Sequence, residues 1–257
     1  MSQQPGSQKG IGIVHGDESC LVRKISHYTA LSDTEKHLLN ELERESRTVR
    51  RHETLVDEGE TNRLFVLDSG WVYTFIHTPD GRRQILDLHF PGDVVGTNQI
   101  AFAESTCGIA AATDAVICPF PKSGLRSVFS NSPKLTALFY TFAMIDHAAV
   151  LDRLRATGRM PAASRVLLVL LQCRARLRIM DPAYSDEFEL PLHQEVIGDL
   201  VGLSNISVSN ALKQLKEEGL IARQGRWISF PNEERATQLI DFADHYYEID
   251  TSWFPGL

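Results

Sequence analysis

Cysteine is sparse in this chain of 257 residues: its four copies, Cys20, Cys107, Cys118 and Cys173, lie far apart. Without a Cys-x-x-Cys pair, the chain offers no zinc ribbon, disulfide scaffold or cluster site built from neighbouring thiols. No uninterrupted apolar run reaches the ~18 residues of a membrane span. The first 16 residues are polar and glycine-bearing, without the apolar core of a secretory signal. A cytoplasmic protein with no membrane partner is the expectation. Enzyme signatures are missing too: no Gly-x-Ser-x-Gly elbow, no phosphate-binding glycine loop and no His-x-His pair occurs. His77 and His89 stand singly, which falls short of a metal-binding cupin. What the chain does have is a globular composition, 43% hydrophobic and 23% charged, enough for one large or two ordinary domains.

The net charge of −7 disfavours nucleic acid when the chain is taken whole. Its distribution says otherwise. Residues 161–232 carry eight basic and eight acidic side chains, whereas residues 233–257 carry one and six. Screening over ~8–10 Å lets a local surface differ in sign from the molecule.

Residues 50–120 have the short period of β structure. Leu64-Phe65-Val66-Leu67, Trp71-Val72-Tyr73-Thr74-Phe75-Ile76 and Gln84-Ile85-Leu86-Asp87-Leu88-His89-Phe90 are rich in β-branched and aromatic residues, with turn signals between them. Gly59, Gly70, Gly81 and Gly92 follow at an even step of eleven, one strand plus one turn repeated. That step fits an antiparallel barrel or jelly roll whose corners need positive φ. Upstream, Ser32 with Glu35 three residues on forms a capping box that opens a short amphipathic helix over 33–44. Residues 1–18 carry no pattern and are expected to be disordered.

Residues 134–156 contain neither proline nor glycine, and their apolar residues cover more than one face. A helix of that kind needs two partners. One is the β-rich half. The other is the same helix of a second copy, because Leu138, Phe142, Ile145 and Ala149 follow a 4-3-4 spacing. A helix buried wholly within its own chain is the alternative. Gly158 and Pro161 are expected to break this helix and form a hinge.

Helical pattern resumes over 162–177, and a polar loop over 181–187 follows. Residues 193–212 then read as helix, tight turn, helix. Gly198 is small where two helices cross, Gly202 supplies the turn, and Ser204 caps the second helix. Ile197, Val201, Leu203, Val208 and Leu212 form the shared core. Residues 220–230 read as a two-stranded wing with Gln224-Gly225 at its tip. A winged helix places its second helix in the DNA major groove. The DNA-binding candidates are Ser204, Asn205, Ile206, Ser207, Ser209, Asn210 and Lys213. Asn pairs bidentately with adenine, Ser donates or accepts, and Ile touches a thymine methyl. Lys213, Lys216, Arg223 and Arg226 are placed near phosphates. A hairpin that merely packs, or a winged helix used for protein contact, is the competing reading.

In this order, and with the segments Leu64–Val72, Pro79-Asp80-Gly81-Arg82-Arg83-Gln84-Ile85 and Phe90-Pro91-Gly92-Asp93-Val94-Val95-Gly96, the chain resembles the Crp/Fnr superfamily of bacterial transcription regulators. The resemblance covers roughly residues 20–232. It implies an α+β chain with a double-stranded β-helix (jelly roll) sensor domain at 19–132 and a long dimerisation helix and hinge at 133–159. A winged helix-turn-helix domain at 160–232 and an acidic tail at 233–257 complete it. It implies a homodimer that binds double-stranded DNA at a palindromic promoter site and acts through RNA polymerase, with a signal that is not identified. The alternative is a ligand-binding or protein-interaction module that no longer binds DNA. Cyclic-nucleotide members carry a glutamate and an Arg-Ser-Ala segment for ribose and phosphate. The equivalents here are Thr97 after Gly96, and Cys107-Gly108-Ile109, with no arginine between Arg83 and Arg126. Gly96, Thr97 and Cys107 mark the candidate effector pocket, but a cyclic nucleotide is disfavoured. An iron–sulfur cluster is disfavoured as well, since Cys20 alone lies near the N-terminus. Ile206 and Asn210 stand where many members carry Glu and Arg, so the half-site read is expected to differ from the common one. The tail, with Phe242, Tyr246, Tyr247, Trp253 and Phe254, is expected to form a helix on the second domain, with partner docking left open.

Overall fold

The computed structural model describes residues 19–256, so the expected disorder of residues 1–18 lies outside the described residues. Two short helices come first, α1 (Cys20–Ser26) and α2 (Asp33–Asn40). The capping box is formed: Ser32 accepts from the Glu35 amide, and the Glu35 carboxylate takes the Ser32 amide. Glu35 also accepts from Ser132 at 2.8 Å and pairs with Lys134 at 2.8 Å, fastening α2 to the start of the long helix. Helix α1, which no sequence expectation covers, is seven residues long, capped by Ser19 and held by burial of Leu21, Val22 and Ile25.

Eight strands follow: β1 (Arg47–Val49), β2 (Thr54–Val56), β3 (Leu64–Ser69), β4 (Val72–His77), β5 (Arg83–His89), β6 (Val94–Val95), β7 (Gly108–Ala111) and β8 (Ala115–Phe120). They form two antiparallel four-stranded sheets, β1-β8-β3-β6 and β2-β7-β4-β5. Between the sheets, Val49, Leu55, Phe65, Leu67, Val72, Ile109 and Ile117 make the interior of a roll. The four stepped glycines all have positive φ. At Gly70 even a Cβ is excluded, because it would lie 2.3 Å from the Asp114 carbonyl oxygen.

Alternate residues of β4 and β5 point outward, as the strand period requires. Tyr73 and Phe75 of β4, with Ile85 and Leu88 of β5 brought to the same side by a bulge in the β4–β5 pairing, and the flanking Trp71 and Phe90 form a second apolar face, continuous with the core of the C-terminal half. After α3 (Lys122–Asn131), which the sequence reading had also passed over, comes the long helix α4 (Pro133–Arg159). Gly158 does not break α4. It lies in the last turn with open space beside it, and the chain turns at Met160 and Pro161 instead. On length and composition, α4 also qualifies to cross a bilayer, with a mean hydropathy of 1.2 over its most apolar stretch. Asp146, Asp152 and Arg153 interrupt it, so no unbroken apolar run marks it in the sequence. Its apolar residues divide between the protomer core and an outer stripe, the pattern of a helix shared by two packed bodies.

Helix α5 (Ala162–Met180) is buried along most of its length. The helix-turn-helix is α6 (Gln194–Val201) and α7 (Asn205–Glu217). The wing has three strands, β9 (Glu187–Glu189), β10 (Ala222–Gln224) and β11 (Trp227–Ser229), in the order β10-β11-β9. The third strand begins at Glu187, where the expected polar loop ends, in a stretch for which no element is expected. Phe188, fully buried and stacked on Phe230 at 6.4 Å, draws it in. The alternation Glu187-Phe188-Glu189-Leu190 was its signal in the sequence.

The tail departs from expectation. Its helix, α8 (Glu233–Ile240), packs on the second half through Ala236 and Ile240, and Phe242, Asp244 and Tyr246 stay on that half's surface. The remainder crosses α4 and ends against the first half, where Phe254 joins Leu21, Leu135 and Leu138.

Candidate nucleic-acid interface

Helix α7 begins where Gly202, at φ 68°, ends α6 in a left-handed turn and Ser204 accepts a hydrogen bond from the Ser207 amide at 3.2 Å. The two helices cross closely at Gly198, where a Cβ would lie 2.5 Å from the Leu203 carbonyl oxygen. Val208, Ala211, Leu212 and Leu215 are buried, and with Ile197 and Val201 they lock α7 against α6. Leu203 is half-buried at the turn. The helical period then leaves the opposite side bare. Asn205, Ile206, Ser209, Asn210, Lys213 and Lys216 are exposed, and Ile206 is 74% exposed. Ser204 is exposed as well, whereas Ser207 is half-buried with its hydroxyl 2.9 Å from that of Ser204, which ties it to the cap.

The cations behave differently from one another. Lys213 has Glu217 at 3.7 Å and Arg226 has Glu189 at 3.6 Å, loose surface pairs that a phosphate can displace. Arg223 folds back to donate to the Gly225 carbonyl at 3.0 Å, which stiffens the wing tip. Trp227, exposed beside Arg226 on the wing, was missed by the sequence reading. Its signal was the alternation about buried Ile228.

The four residues read as a seam are placed inward. Leu138 is fully buried and Ala149 nearly so, while Phe142 packs on Tyr28 and Ile145 on the cluster around Ile179. The expected seam is thus the protomer's own packing face. The outer face of α4 instead presents Tyr140, Met144, His147, Leu151 and Leu154, again alternating by four and three. Tyr140, Leu151 and Leu154 are 60%, 51% and 67% exposed.

A charged junction unites the roll with the helix-turn-helix. Arg83 on β5 reaches Asp199 on α6 at 2.6 Å and the Tyr73 hydroxyl at 2.9 Å. Arg176 on α5, buried, donates to the Leu88 carbonyl at 2.9 Å and to Asp93, which Lys24 also meets. Burial alone would raise the Asp93 carboxyl, but Arg176 and Lys24 outweigh it and hold the group well below the usual carboxylate range. Arg153 on α4 pairs with Asp87 at 3.1 Å.

In the candidate effector pocket, Gly96 and Cys107 are brought together around Gln99: the Gln99 amide donates to Gly96 and its side-chain oxygen accepts from Cys107 at 3.3 Å. Thr97 is half-buried beside them. Of the two single histidines, His77 bonds Glu58 at 3.0 Å and His89 bonds Thr74 at 2.7 Å.

A family model for the cyclic nucleotide-binding domain matches residues 46–132, and one for the Crp-like helix-turn-helix domain matches residues 164–235. A probable transcriptional activator of Rhizobium leguminosarum bv. viciae is 33% identical over 165 residues, 63% of this chain and 67% of that protein. The nitrogen fixation regulation protein FixK of Bradyrhizobium diazoefficiens is 27% identical over 209 residues, 81% of this chain and 86% of its own length. The solved structure of FixK2 from Bradyrhizobium japonicum superposes with a TM-score of 0.67 at 27% identity, over 76% of this chain and 96% of that one.

The segment 96–107 of the roll supplies no cationic side chain of its own to a cyclic-nucleotide phosphate; the Lys122 amine, which donates to the Ile100 carbonyl at 3.3 Å, reaches it from outside. Asn62 Oδ1, Gln99 Nε2 and Ser105 Oγ are buried without a hydrogen-bond partner among the described residues, so polar capacity is present there. All three groups are neutral, and residues 96–107 contain neither lysine nor arginine. A buried phosphate anion needs a cationic partner.

Proposed function

The chain belongs to the Crp/Fnr family of transcription regulators, which bind DNA as dimers, and from that premise we propose how this member reads its target. Two copies pair along the outer stripe of α4, Tyr140, Met144, His147, Leu151 and Leu154, whose heptad spacing is that of a coiled-coil seam. Each copy lays α7 in a major groove, with the two helices about one DNA turn, ~34 Å, apart on a palindromic promoter site. Asn205, Ile206, Ser209 and Asn210 face the base edges. Lys213, Lys216, Arg223 and Arg226 face phosphates. The regulator works in the cytoplasm and acts through RNA polymerase.

The observation that carries this reading is the split character of α7. One side is anchored by four buried apolar residues, and the other is solvent-exposed, polar and free of acidic residues from Asn205 to Lys216. Salt-titrated selection on a random-sequence duplex library tests it. A selective, two-fold-symmetric site is expected, with affinity falling steeply as salt rises. Replacing Lys216 by methionine should weaken all sequences alike and reduce the log–log salt slope by about one. Flat, unselective binding would reject the proposed reading face.

A further inference from the structure

Residues 241–256 follow a path that neither matched domain segment includes, since those segments end at residues 132 and 235. Asp241, at φ 52°, reverses the chain at the end of α8. From there it is anchored at successive points on three bodies. Asp244 accepts from Arg178 of α5 and from the amides of Tyr246 and Tyr247 at 2.9 and 3.2 Å. His245 lies 3.2 Å from Asp152 of α4. Tyr246 is buried among Ala149 of α4 and Ala175 and Ile179 of α5, with the Arg176 guanidinium 5.4 Å from its ring centre. The Tyr28 hydroxyl donates to the Tyr246 carbonyl at 2.6 Å, and His27 Nε2 lies 2.8 Å from that of Tyr247. Phe254 ends the path, buried with Leu21 of α1 and Leu135 and Leu138 of α4. Beside it, Trp253 meets Tyr140, the first residue of the outer stripe, edge-on at 6.5 Å.

The path runs from the DNA-binding half back to the sensor half and bypasses the Met160-Pro161 turn, the direct covalent link between them. Rotation of the helix-turn-helix about that turn would carry the Arg178–Asp244 pair with it and pull the segment off the other half, at Tyr28–Tyr246, His27–Tyr247 and Phe254. No anchor touches α7, whose exposed side stays bare, so the path does not block the DNA-reading face. We propose that residues 241–256 form a brace that fixes the reading helices relative to the dimer helix. The inference rests on the dimeric DNA-binding reading above. Pre-setting an orientation lowers the ordering cost of binding, so DNA affinity depends on a segment that makes no DNA contact.

The test compares the full chain, a chain ending at Ile240, and the full-length variants Phe254→Ala and Tyr28→Phe. Each is examined by hydrogen exchange over 158–166, by sedimentation, and by titration with the site selected from the duplex library. The expected outcome for the shortened chain is a retained dimer, faster exchange at the Met160-Pro161 turn, and affinity about tenfold weaker with the salt slope unchanged. Phe254→Ala should show the same changes in smaller degree, and it decides the matter if the shortened chain does not fold. Exchange at the turn unaltered in the folded variants, or affinity within twofold of the full chain or higher, would overturn the brace. Absence of selective binding by the full chain itself would instead reject the DNA-reading proposal, and the exchange measurement would still judge the brace.

Discussion

Asn210 stands on the bare side of α7 with no intramolecular bond to its side chain among the described residues, while Val208 and Ala211 on either side are buried. A carboxamide held on a rigid helix can pair with adenine through two bonds, worth about 1–3 kcal/mol against the wrong base. Asn210→Ala should therefore flatten the base preference at one position in each half-site, by about 5- to 150-fold. Melting temperature and dimer content should be unchanged, and a repeat of the library selection checks this. Much at this scale was legible beforehand, because caps and turns are local physics. Ser32 with Glu35, Ser204, Gly202 and the stepped glycines depend on residues a few positions away. The candidate effector pocket was legible only in part. The missing arginine is a fact of the sequence. That Asn62 and Gln99 meet at the Gly96 carbonyl is a product of the roll.

The long helix shows what an element's pattern leaves open. Both Leu138-Phe142-Ile145-Ala149 and Tyr140-Met144-His147-Leu151-Leu154 satisfy the spacing of a packed seam, and the helix has two apolar sides. Periodicity locates stripes but does not say which neighbour covers each one. The structure assigns the first stripe to the protomer core, since Leu138 is buried against α1 and Phe254. Leu138→Ala should then cost about 2–5 kcal/mol of protomer stability in a denaturant titration while leaving the folded fraction dimeric. Leu154→Asp, on the exposed stripe, should leave the protomer's unfolding free energy within about 0.5 kcal/mol of wild type and yield monomers in sedimentation. The reverse pattern would restore the inner seam. Strand β9 makes the same point in miniature. Its alternation marks an extended segment, but three residues make a strand only when β11 offers its edge.

Across the whole molecule, the two halves share one apolar core and a buried set of charges. Arg176 of α5 is satisfied by Asp93 and the Leu88 carbonyl of the roll, so separating the halves leaves a guanidinium and a carboxylate without each other. Asp93 has a folded-state value depressed below the ~3.9 of an unfolded aspartate. Its contribution is therefore fully present above that unfolded value and is lost as pH falls from there through the folded value. Acidification below about pH 4 should loosen the roll from the helix-turn-helix, seen as faster hydrogen exchange in α5 and β5. Asp93→Asn should lose about 3–5 kcal/mol at neutral pH, because buried Arg176 loses its nearest counter-charge and keeps only Asp87, at 3.8 Å, and the acid dependence should become shallower. A variant with wild-type stability and an unchanged acid profile would show that Asp93 does not join the halves. The acidic tail is accounted for in the same way. Glu233, Asp241 and Asp244 face Arg174, Arg155 and Arg178, so much of its charge is met within the protomer.

From residue order alone came the roll, the long helix, the helix-turn-helix and the exposed side of its second helix, because hydrophobic period, turn chemistry and capping are short-range effects written along the chain. Which side of the long helix lies inward, where Arg176 and Arg83 find their carboxylates, and where residues 241–256 end were settled by folding. Those pairings join positions tens to hundreds of residues apart, and each is chosen by competition for burial and counter-charge among surfaces that exist only once the elements have packed.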